Sequence, residues 1–185
     1  MDRPAGRPAA DEHWAPDHLV LERRVLSHAG RLFVEQDADG TVLTHSPLAG
    51  MAAVEQRYPA WALGPFGRIE PENDLPSAPG VYALVTQGTV RYVGGSSDLA
   101  RTFGQRSGLG DISRRDAQNP RREEHCRLNR LVTAEARAGI TVDLYVLASE
   151  PPRGLARLVR RPGDDVHAIA AELAATSKGS WHLPR

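Results

Sequence analysis

Cysteine is almost missing from this chain: Cys126 stands alone among 185 residues, which excludes an internal disulfide and any multi-cysteine metal site. Such usage fits a reducing cytoplasm. Lysine is as scarce, with Lys178 the single example and arginine supplying the rest of the 23 basic side chains. Arginine's planar fork suits phosphate, although the Ala and Arg richness throughout also reads as a genomic composition bias. Long hydrophobic runs are missing too. Nothing approaches the roughly 18 apolar residues of a membrane span, so no membrane association is expected. The opening MDRPAGRPAADEHW lacks the apolar centre of a secretory signal and reads, to about residue 18, as a disordered lead. His13, His18, His28, His45 and His167 have no ligand-like spacing, so no zinc site is expected.

Charge of either sign is not in excess, because 23 basic residues meet 23 acidic ones. The distribution is more telling than the sum: residues 1–80 carry seven basic and twelve acidic side chains, residues 91–130 nine and five. The middle of the chain is locally cationic, and all of those nine are arginine.

The pattern divides near Leu75, where RIEPENDLPSAPG reads as a linker. Residues 19–75 form an expected cap or adaptor, with a hairpin around Asp39-Gly40 and a helical stretch ending at Pro59. Residues 76–185 hold the principal domain. There, GVYALV and VRYVGG flank a short glycine-containing loop and predict a hairpin. SSDLARTFG opens like a helix N-terminus, and QRSGLGDISRRDAQNP reads as an insertion or long loop. REEHCRLNRLVTAEARAG has helical spacing and closes on Gly139; TVDLYVLAS is a third strand and DDVHAIAAELAATSK a last helix, while RGLARLVRRPGDDV is ambiguous. The expected class is α+β, with a small three-stranded sheet flanked by helices.

Two of the four tyrosines, Tyr82 and Tyr92, lie on the two hairpin strands, each beside glycine. A strand has period two, so they can sit across from each other and converge as a proton-transfer or phosphate-binding pair. Tyrosine is also simply a good strand residue. The surroundings resemble the GIY-YIG nuclease superfamily over about residues 78–184: Gly80-Val81-Tyr82, then Tyr92-Val93-Gly94, then GSSDL entering a helix, and far later Glu172-Leu173 with Trp181 nine residues on. GLGDISRRDAQNPRREEHCRLNRLV is similar to the insertion of bacterial stand-alone members, with Cys126, Arg127, Leu128 and Asn129 at its helix pattern.

The resemblance implies a metal-dependent endonuclease of defence, restriction or repair type, hydrolysing nucleic-acid phosphodiesters, with DNA favoured over RNA. It implies Glu172 as the carboxylate ligand of Mg2+ or Mn2+, Tyr82 as base or relay, and Tyr92 as the group positioning water or phosphate. A phenol with a pKa near 10 needs a nearby cation for that role. The family's arginine position is Thr102 here, so three substitutes stand open: Arg101, Arg127, or Arg121 paired with His125 four residues later. Arg114, Arg115, Arg121 and Asn129 are candidate nucleic-acid contacts. His182 replaces the usual terminal asparagine. The alternative is an altered scaffold that binds nucleic acid without cutting, or acts on a small anionic molecule.

Overall fold

Alternating apolar residues in GVYALVT and TVRYVGGS build two neighbouring strands of the sheet. A computed structural model describes residues 13–106, 108–149 and 164–182. The strands are β1 (His18–Leu21), β2 (Arg24–Val34), β3 (Ile69–Pro71), β4 (Gly80–Thr86), β5 (Thr89–Ser96) and β6 (Val142–Ala148). The α-helices are α1 (Val54–Arg57), α2 (Leu99–Phe103), α3 (Arg114–Ala117), α4 (Glu123–Arg137) and α5 (Asp164–Ser177). The segment RGLARLVRRPG lies outside the described residues.

The expectation of a three-stranded sheet is corrected: the sheet has six strands in the order β1-β2-β6-β4-β5, with β3 paired to β2. The three expected strands are its β4, β5 and β6, and the β1–β2, β2–β6, β6–β4 and β4–β5 ladders are all antiparallel. The additional strands come from residues expected to form part of a separate cap or a linker. Strand β2 docks on β6, pairing His28 with Tyr145 and Arg31 with Asp143. A single sheet ladder satisfies backbone groups that β6 would otherwise leave open on that side. The proline-rich stretch before β4 is likewise fastened. Glu72 takes the Arg31 guanidinium in a fork, with Nε and Nη2 donating at 3.3 and 3.2 Å, and Asn73 Nδ2 donates to the Ala29 carbonyl.

The chain forms two compact units, each built from separated segments. One comprises Ala15–Leu32, Pro71–Thr102 and Thr141–Arg185. Its core gathers Leu26, Val81, Ala83, Val85, Val93 and Tyr145 against Val166, Ala170 and Leu173 of α5. Those three helix positions recur at spacings of four and three, one face of a helix. The other unit includes Phe33–Glu70 and Phe103–Ile140. Its core is Leu48, Ala62, Phe66, Ile112, Ala117 and Cys126. The stretch read as an insertion contributes there: Ile112 is buried, and Ser113 and Asp116 close a reciprocal cap on α3.

Helix α4 carries the polar centre of this second unit. Asn129 is wholly buried, accepts from Gly67 N at 3.1 Å, and donates from Nδ2 to the carbonyls of Gly67 and Leu109 at 2.8 and 2.7 Å. Thr133 Oγ1, one turn on, also accepts from Gly67 N.

Candidate functional site

The turn between β4 and β5 is Gln87-Gly88, both at positive φ (49° and 72°), the pattern of a two-residue type I′ hairpin. Regular pairing from that turn would continue Thr86–Thr89, Val85–Val90, Leu84–Arg91, and so set Tyr82 opposite Val93. Tyr92 would then oppose Ala83 and point to the other face of the sheet. The observed ladder instead goes from Val85–Val90 to Leu84–Tyr92 and Tyr82–Gly94. Arg91 is the extra residue of a β-bulge, and the one-residue slip turns Tyr92 onto the face of Tyr82. The ring centroids are 5.9 Å apart with planes tilted by 32°.

Gly94 makes the approach possible. A Cβ there would fall 2.5 Å from Tyr82 Cζ, 2.6 Å from its Oη and 2.7 Å from Tyr92 Cε1. The Tyr82 phenol therefore lies over bare backbone. Both side chains are well covered, Tyr82 being 2% and Tyr92 7% exposed. Strand alternation places them on the face opposite Val81, Ala83, Val85 and Val93, which pack on α5.

The bulge also anchors the end of the described chain. Arg91 Nε donates to Thr86 Oγ1 at 2.6 Å, its Nη1 donates to Ser180 Oγ at 3.3 Å, and its carbonyl accepts from Trp181 N at 3.0 Å. His182 follows, stacked on Tyr92 with centroids 4.5 Å apart, its Nε2 accepting from Val93 N at 3.1 Å. An accepting Nε2 leaves Nδ1 as the protonated nitrogen of a neutral ring. Thus Tyr82, Tyr92 and His182 form one aromatic row. Its dependence on Arg91, Thr86 and Ser180 has no signal in the sequence beyond the terminal tryptophan.

The other expected residues are spread over both units. Thr102, at the usual arginine position, shares a 2.7 Å hydrogen bond with Ser96 Oγ. Arg101 is exposed beside it on α2, where its backbone N–H caps onto Asp98 Oδ1. Glu172 is exposed on α5, and its carboxylate makes no hydrogen bond or ion pair with a described residue. Arg127 and Asn129 belong to α4 of the other unit, with Arg114 and Arg115 on α3 and Arg121 in the turn before α4. Asn129, expected as a nucleic-acid contact, is fully buried and bonded to backbone. Arg114 donates to the Pro47 carbonyl, while Arg115 and Arg121 are exposed.

His125 is half-buried, and its Nδ1 has no hydrogen-bond partner. Burial foremost, and then the Arg122 guanidinium, hold its pKa below the ordinary 6.5, against the opposing pull of Glu124 and Asp116. A depressed folded-state value means that below pH 6.5 the unfolded chain binds the proton first. Stability is therefore lost as pH falls through that window. Urea unfolding should show the advantage of wild type over His125→Gln shrinking below pH 6.5, and a constant difference would contradict this assignment. Burial pushes the neighbouring Cys126 thiol up to about 12, so it stays protonated and is no nucleophile.

No group of three or more His, Cys, Asp or Glu side chains able to hold a metal occurs among the described residues. Magnesium needs less, since it keeps several waters and is often held by one or two carboxylates. The exposed carboxylate of Glu172 has the chemistry for that limited role, but α5 packs on the face of the sheet opposite Tyr82 and Tyr92, so the structure does not bring it together with them. No helix among the described residues is long and apolar enough to cross a membrane. The chain matches no family model, no curated protein and no solved structure.

Proposed function

We propose that this protein hydrolyses nucleic-acid phosphodiester bonds as an endonuclease at the face bearing Tyr82 and Tyr92, with magnesium or manganese as its metal. The observation that carries the reading is the Arg91 bulge. It turns the phenols of GVY and YVG onto one face, 5.9 Å apart, across a glycine that admits no side chain.

In this scheme the Tyr82 hydroxyl takes the proton of the attacking water, directly or as a relay, and Tyr92 orients the water or the phosphate. His182, held by Val93 N, keeps the Tyr92 ring in place. A divalent ion would supply Lewis-acid stabilisation of the scissile phosphate, and Glu172, expected as its ligand, is carried by α5 on the opposite face of the sheet from the phenols. Arg101 is the cation nearest in sequence to the position that Thr102 occupies.

A second reading is favoured by two specific observations: Thr102 is bound to Ser96 instead of offering a positive charge, and both phenols are largely covered. These suit a scaffold that binds nucleic acid without cutting, or that takes a small anionic molecule. Cleavage of plasmid and oligonucleotide substrates with magnesium or manganese separates the two. Hydrolysis should be present in wild type and fall on the order of a hundredfold or more in Tyr82→Phe. Folded wild type that binds DNA and never cuts it would favour the second reading.

A further inference from the structure

Helix α4 carries Arg127, Arg130 and Arg137 along one side, at spacings of three and seven residues. At about 100° per residue these fall within roughly 80° of arc, and at about 1.5 Å rise they span roughly 15 Å of helix. With Pro65, Leu131, Thr133 and Ala134 they line a groove of about 340 Å³, and no acidic side chain lines it. The carboxylate of the same stripe, Glu123, stands one turn before Arg127, at the helix start. Arg130 Nη1 donates to the Ala60 carbonyl, which fixes its guanidinium while its remaining N–H groups stay available as donors. A side chain held in advance loses less freedom on binding.

We propose that this groove grips the phosphodiester backbone of nucleic acid, as a sequence-independent contact separate from the Tyr82–Tyr92 face. Three forked cations over apolar walls complement a line of phosphates, and arginine meets phosphate through paired N–H donors where an ammonium acts as a point charge. Contacts to phosphate carry no sequence information and set position instead. The inference rests on the nucleic-acid reading above but uses none of the residues assigned there to hydrolysis.

The test is fluorescence-anisotropy titration of duplex DNA against full-length wild type and Arg130→Gln/Arg137→Gln, repeated over a range of salt concentrations. Glutamine matches arginine closely in helix propensity, and circular dichroism checks that the variant is folded. The slope of log affinity against log salt is expected to shrink by roughly 2 in the double variant, with affinity lowered alike for unrelated sequences. A variant that keeps the wild-type slope and affinity overturns the groove and leaves the nuclease reading standing. A wild type that binds no DNA but binds poly-glutamate through these arginines overturns both.

Discussion

Replacing Gly94 by alanine should unseat both phenols at once. The new methyl group would need the space within 2.5–2.7 Å of Tyr82 Cζ and Oη and Tyr92 Cε1, well inside contact distance. Neither ring can simply rotate away, because Tyr82 is almost wholly buried and Tyr92 is stacked beneath His182. Overpacking of this kind costs about 1–3 kcal/mol. The displacement also destroys the alignment on which the proposed chemistry depends. Gly94→Ala should therefore lower the urea midpoint, alter the near-ultraviolet circular dichroism of the tyrosines, and remove cleavage. A variant with wild-type stability and an unchanged aromatic signal would show that the rings do not lie over this glycine.

An even larger loss of stability is expected from Asn129→Leu, which keeps the approximate volume and removes the amide. Gly67 O and Leu109 O would each lose a buried donor, and Gly67 N would be left with Thr133 Oγ1 alone. At about 1–3 kcal/mol for each group left unsatisfied, the total is roughly 3–5 kcal/mol. For a domain whose entire stability is about 5–15 kcal/mol, that is a large fraction of the whole. Equilibrium unfolding in urea would measure it. A change under about 0.5 kcal/mol would mean that water or a shifted backbone takes over the amide's bonds.

These two residues also show how far the sequence can be read. The hairpin was legible because apolar alternation on both sides of Gln87-Gly88 is a local signal. The bulge was not, since V-R-Y-V-G contains nothing that marks Arg91 as an extra residue. The distances of the tyrosines to the turn bring them level along the hairpin but, in regular register, onto opposite faces, and the slip that unites them has no local mark. Asn129 looked like a surface polar group because its partners, Gly67 and Leu109, lie 62 and 20 residues away. Burial of an amide is legible only when its partners are known.

Strands β1 and β2 were missed for a different reason. LVLERRVL turns at Glu22, a charged non-glycine residue at φ 54°, where sequence rules look for Gly or Asn. Membership of β2 in the sheet depends on its long-range partner β6 and not on its own pattern. By contrast, α4 and α5 were read correctly from helical spacing, and Gly139, at φ 72°, ended the first where expected. Glu172 follows from motif spacing alone, and spacing does not tell which face of the sheet its helix covers; α5 packs on the face opposite the phenols.

The ladder between β2 and β6 has a consequence for how the protein is made. His28 and Asp143, joined by a 3.1 Å contact across that ladder, are 115 positions apart in the chain. At translation rates of about 5–20 residues per second, the first strands emerge from the ribosome roughly 6–23 seconds before their partner does. During that interval Leu26, wholly buried in the finished protein, and the exposed pair Val20 and Val25 have no sheet to join. The β1–β2 hairpin therefore waits through that interval for β6, and its apolar face stays uncovered until then.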